Sequence, residues 1–137
     1  MNSCEDFTEF GRSLLTDSAP EIALRCGASR IYYAAYHLCH HYASQYCTPL
    51  QEEDKKVGGL HAQLFKRLAE NSKRPELDEL LRSVAEFAKK MKAIRVQADY
   101  TLTRDFTRTD ADRCSAFLDV VKEYCEQVDQ VAAVKVE

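Results

Sequence analysis

The chain predicts an all-α fold, an up-and-down bundle of four to five helices, on three observations. Apolar residues recur at three-four spacing in several long stretches, signatures of helix starts precede most of them, and no stretch alternates as a half-buried strand would. Only four Gly and three Pro occur in 137 residues, so breaks in the pattern are few and stand out.

Ser3 and Asp6 have capping-box spacing, and Phe7, Phe10, Leu14 and Leu15 follow as an apolar face, which predicts a first helix ending near Asp17. Ser18-Ala-Pro-Glu21 has the same spacing with Pro in the first turn, so a second helix is expected to start there and run to about Tyr46. Leu24, Ala28, Ile31, Ala35, Leu38, Cys39 and Tyr42 make its apolar stripe, while Arg30, Tyr33, His37 and His41 share another face. Thr48-Pro49 stops it. Residues 48–59, charged and closed by Gly58-Gly59, read as a mobile loop.

Leu60, Leu64, Phe65 and Leu68 predict a third helix to Asn71, with His61 near its start. Pro75, Glu76 and Asp78 open a fourth helix with acid in its first turn, and Leu77, Leu80, Leu81, Val84, Phe87, Ala88, Met91, Ile94 and Ala98 give the clearest repeat in the chain. Thr101 to Arg108 reads as a connection. Thr109 and Asp112 form a further capping box for a last helix with Cys114, Phe117, Leu118, Val121, Tyr124, Cys125 and Val128 inward, followed by a frayed C-terminal tail.

A chain of this length is expected to form one domain, 1–137, with a core large enough to need no metal or disulfide. Composition, 45% hydrophobic and 30% charged, fits a soluble helical protein. No apolar run is long enough to span a bilayer, and the acidic start has neither the basic region nor the apolar core of a signal peptide, so a cytoplasmic location without membrane association is expected. Four of the six cysteines, Cys26, Cys39, Cys114 and Cys125, fall at or beside apolar helix positions, where reduced thiols act as small hydrophobes. A formal charge of −3 argues against a large non-specific nucleic-acid footprint.

The chemistry concentrates late in the fourth helix, in Lys-Ala-Ile-Arg-Val-Gln-Ala-Asp-Tyr, residues 92–100. Arg95 and Asp99 are one turn apart and can pair, Tyr100 follows, and Lys89, Lys90 and Lys92 add positive charge that Arg104, Arg108 and Arg113 could extend. Tyr32, Tyr33 and Tyr36 serve either as packing groups or as stacking platforms for RNA bases. His37 and His41 have the i, i+4 spacing of a metal pair, but no Cys-x-x-Cys completes a set, so neither metal nor cofactor is expected.

Two segments, Ser29-Arg-Ile-Tyr-Tyr-Ala-Ala-Tyr-His37 and Arg95-Val-Gln-Ala-Asp-Tyr100, separated by a loop and a helix containing His61, resemble the HEPN superfamily, in particular its short stand-alone bacterial proteins. The resemblance runs from about residue 20 to 128. It implies an all-α bundle, homodimerisation, and a place among toxin–antitoxin, defence or stress modules. Several branches of that superfamily are metal-independent RNases with an arginine followed, after four to six residues, by histidine on a late helix. Arg95 matches the arginine, and Tyr100 stands where the shortest form of the motif needs histidine.

Histidine, with a pKa of about 6.5, can both accept and donate a proton near neutrality, whereas tyrosine starts near 10. Asp99 could accept a proton, but pairing with Arg95 favours its ionised form. Arg30 and His37 meet the spacing on the second helix, and packing of that helix on the fourth could bring His37 to Arg95. The leading expectation is therefore a HEPN-like binding or regulatory component of a toxin–antitoxin or defence system, with Arg30, Tyr33, Lys92 and Arg95 binding RNA or a nucleotide. The first alternative is a metal-independent RNA endonuclease using Arg95 with His37, Tyr100 or Asp99. The second is an antitoxin or immunity-type interaction partner. A homodimer and a cognate protein such as a nucleotidyltransferase are the expected partners.

Overall fold

A computed structural model describes residues 1–56 and 58–134. Five helices follow one another: α1 (Cys4–Ser13), α2 (Glu21–Tyr46), α3 (Leu60–Glu70), α4 (Asp78–Tyr100) and α5 (Arg108–Ala133). The all-α bundle is as the periodicity predicts. Among the described residues there is no sheet, only one isolated antiparallel bridge between Cys47 and Ser72 that ties the ends of α2 and α3 together. Among the described residues, no helix is long and apolar enough to cross a membrane. The expected loop mobility bears partly on Val57 and the expected fraying on 135–137, and these lie outside the described residues.

α4 packs along α5 and against α2 and α3, and α2 also packs on α5 and on α1, whose Arg12 and Glu5 reach Asp119 and Lys122 of α5. The core that results draws Ile31, Tyr32, Ala35 and Cys39 from α2, Phe65 and Leu68 from α3, Leu81, Val84, Ala88 and Met91 from α4, and Cys114, Leu118, Val121 and Val128 from α5. These are largely the residues the three-four spacing selects. Phe117 and Tyr124 are half-buried instead, Tyr124 stacked on Phe87 and Phe117 tilted against it between α4 and α5.

Four local expectations are corrected. α1 stops at Ser13, not near Asp17, because Leu14 and Leu15 turn back to the Gly11 and Arg12 carbonyls and the Arg108 guanidinium takes the Leu15 and Thr16 carbonyls. The Ser18–Glu21 capping box does not form: Pro20 caps α2 without a side-chain bond, and Glu21 accepts the Phe106 amide at 2.6 Å. The last helix is capped by Thr107 with Asp110, two residues before the expected Thr109 pair, because the same Thr-x-x-Asp spacing occurs twice and the earlier register buries Phe106 and Ala111. Pro75–Leu77 is a 3-10 turn, with Leu77 bonded to the Arg74 carbonyl, before α4 begins at Asp78. The Ser3–Asp6 box forms as expected.

The contact between α1 and α2 is made by glycines. A Cβ at Gly27 would lie 2.9 Å from the Gly11 carbonyl oxygen, and one at Gly11 would lie 2.8 Å from Ile31 Cγ1, so only hydrogen at both positions lets the two backbones touch. The close approach rotates Thr8 and Gly11 inward, and Phe10, expected on the apolar face, is left 59% exposed.

Candidate functional site

The polar cluster sits where α2 crosses the C-terminal half of α4. Spacing alone places Arg95 and Asp99 on one face of α4, and their ion pair forms, with Nε donating to Oδ2 at 2.8 Å. The rest is supplied from α2. The Ser29 hydroxyl donates to the same Asp99 oxygen at 3.0 Å, and a second nitrogen of Arg95 donates to the Tyr33 hydroxyl at 2.8 Å. Arg95 is only 12% exposed at its side chain and Asp99 27%, so this is a half-buried network rather than a solvated surface pair.

Aromatic rings surround the guanidinium. Arg95 Cζ lies 5.1 Å from the Tyr33 ring centre, 5.3 Å from Tyr100 and 5.8 Å from Tyr32, distances at which a cation is attracted by a ring face. Arg30 Cζ lies 4.9 Å from the same Tyr33 ring centre, and Arg30 donates to the Ser29 hydroxyl at 3.3 Å. Burial alone would make Arg95 a weaker base, but Tyr33, Asp99 and Tyr100 outweigh it and hold the guanidinium charged.

Of the histidines, His61 from α3 is the one integrated into the cluster. Its Nδ1 is hydrogen-bonded to the buried Tyr32 hydroxyl, and its ring stacks on Tyr36 with centres 4.4 Å apart. Burial, followed by the charges of Lys92 and Arg95, lowers its pKa and biases it toward the neutral form. Burial likewise raises the Tyr32 phenol well above the ordinary tyrosine value.

The expected meeting of His37 with Arg95 does not occur as direct contact. His37 is exposed on α2 and touches Phe7, Tyr36 and Tyr33, the last with ring centres 6.5 Å apart, and Tyr33 is the group that reaches Arg95. Tyr100 is 69% exposed at the end of α4 and touches the cluster only through its ring face. Lys92 is half-buried on α4, on the side of His61. Among the described residues, no group of three or more His, Cys, Asp or Glu could hold a metal ion. All six cysteines are free thiols, with Cys39, Cys47, Cys114 and Cys125 buried and Cys26 exposed.

Arg25 supports the cluster and was not singled out by spacing. It is 4% exposed, and its guanidinium donates to the carbonyls of Gln97, Ala98, Thr101 and Arg104, capping the C-terminal end of α4 that presents Asp99 and Tyr100. The signal was available: Arg25 continues inward the line of Ala28, Tyr32, Ala35 and Cys39, and an arginine at an inward position demands buried acceptors.

No family model matches the chain, and neither a curated protein nor a solved structure aligns with it. Chemically, the cluster offers a charged, aromatic-walled guanidinium and an imidazole biased toward its neutral form, held in place by bonds that the protein makes to itself.

Proposed function

We propose that the chain is a HEPN-like binding or regulatory component of a toxin–antitoxin or defence-type system, and that its Arg95 cluster binds without cleaving. One observation carries the reading. The Arg95 guanidinium donates to Asp99 and Tyr33, and the imidazole in the cluster, His61, is hydrogen-bonded to Tyr32 and not to Arg95, so the arginine has no directly bonded histidine to pass a proton. Arg30, Tyr33, Lys92 and Arg95 are the binding groups in this reading, with RNA or a nucleotide as ligand. A second copy of the chain and a cognate protein such as a nucleotidyltransferase are its partners.

The test is incubation of the purified protein with total RNA in EDTA, beside Arg95→Ala. The expected result is intact RNA with both. Cleavage by the unaltered protein that is lost in Arg95→Ala overturns the reading.

A second reading, a metal-independent endoribonuclease, is favoured by His61. The His61 imidazole, its pKa lowered by burial and by the charges of Lys92 and Arg95, lies beside cations that could take a phosphate. In that reading His61→Gln abolishes cleavage together with Arg95→Ala. The antitoxin or immunity-type reading predicts instead a stoichiometric protein partner on purification from the native host, with no RNA accompanying it.

A further inference from the structure

A cleft of about 290 Å³ opens between the second half of α2, α3 and the loop that joins them, and it shares Tyr36 with the surroundings of His61. Its lining is apolar at Pro49, Leu50, Leu60 and Leu64 and aromatic at Tyr36 and His40. Leu60 is 73% exposed at the mouth although it opens a helix whose other apolar residues, Leu64, Phe65 and Leu68, are buried. The other polar lining groups are cationic or neutral, Lys55, Arg67 and Gln63, and among the described residues no carboxylate lines the cleft.

The two cations differ in how they are held. Arg67 is anchored by donations to the Thr48 and Cys47 carbonyls, each at 3.1 Å, and has no ion-pair partner among the described residues. Lys55 pairs at 3.0 Å with Glu52, which is 88% exposed, a screened contact that a ligand can replace at little cost. Gln63 is occupied in holding the loop, donating to the Lys55 and Gly58 carbonyls. An apolar and aromatic lining that also holds a fixed guanidinium and a releasable ammonium makes a site for a molecule with a flat apolar body and one negative charge.

We propose that this cleft binds a small planar aromatic carboxylate, its ring against Tyr36 between the leucines and its carboxylate at Lys55 and Arg67. The assignment is independent of the reading of the Arg95 cluster. Because Tyr36 also stacks on His61 and touches Tyr33, with ring centres 6.2 Å apart in the second case, occupancy is sensed directly at the neighbouring site.

The test uses benzoate as the probe and benzyl alcohol as its uncharged counterpart, with two-dimensional NMR of the full chain. Saturable shifts at Tyr36, His40 and Leu64, at least fivefold weaker binding of benzyl alcohol, and a tenfold loss in Leu60→Glu, which sets a carboxylate at the mouth, are expected. Lys55→Glu, in the loop and exposed, gives the same loss by a second route should Leu60→Glu unfold. Shifts that do not saturate, that map to another face, that are equal for the alcohol, or that persist in a folded charge-reversed variant overturn the assignment.

Discussion

Replacing Arg25 by Met tests whether a buried guanidinium, and not helix propensity, holds the end of α4 in place. Methionine keeps an unbranched apolar stem for the space beside Phe106, whose ring centre lies 5.5 Å from Arg25 Cζ, and removes all four donations to the Gln97, Ala98, Thr101 and Arg104 carbonyls. A hydrogen bond to a charged group contributes about 1.5–3 kcal/mol. The four do not add, because only the bond to Ala98 is fully buried, water can replace the others, and the substitution also recovers the desolvation cost of the cation. Counting the Ala98 bond in full and the rest at a fraction gives a loss of about 3 kcal/mol. For a chain of this length that is a fall of roughly 10 °C in Tm. Thermal unfolding followed by circular dichroism measures it, and hydrogen exchange should accelerate at the Thr101 and Arg104 amides, which bond to the Gln97 and Thr101 carbonyls, while α5 stays protected. A loss under about 1 kcal/mol, or exchange that rises evenly over the chain, would refute the argument.

Other consequences are equally direct. His61 has its pKa lowered in the folded state, so the unfolded chain binds its proton first: the contribution is complete above pH 6.5 and is lost as pH falls through the folded value. Urea midpoints measured from pH 7.5 to 5.5 should fall more steeply for the unaltered chain than for His61→Gln, and parallel lines would exclude the linkage. Gly27→Ala gains about 0.5–1 kcal/mol of helix propensity but drives a methyl to 2.9 Å from the Gly11 carbonyl and 2.6 Å from Leu15 Cδ2. Overpacking against a backbone costs about 1–3 kcal/mol, so the substitution should destabilise, and a raised Tm would show that the crossing relaxes. Titration of the native protein with a chromogenic disulfide should label Cys26 first and the buried Cys39, Cys47, Cys114 and Cys125 only on unfolding, so rapid reaction of five or six thiols would contradict the burial.

Much of the bundle follows from spacing within single helices. The 3.6-residue turn fixes which side chains on one helix share a face, so the inward line from Leu81 to Ala98 on α4 and the Arg95–Asp99 pair are properties of α4 alone. The Ser3–Asp6 box is local for the same reason, since both partners lie within one turn. Where two local solutions were close in energy, as with Thr107–Asp110 against Thr109–Asp112, the choice passed to burial of Phe106 and Ala111, which no short window contains.

The sequence by itself therefore determined the helices, most of their buried faces, and the candidate centre on α4 with its cation and anion one turn apart. Tertiary structure alone decided what surrounds that centre: the glycine crossing that turns Phe10 outward, the Arg25 cap drawn from α2, Tyr33 as the partner of Arg95, and His61 in place of His37 as the imidazole joined to the cluster. The physical reason is one of range. Periodicity sets neighbours along a helix, but how helices cross and which carbonyls at their ends need donors depend on the packing of residues far apart in the chain, and the chemistry of this site lies at those crossings.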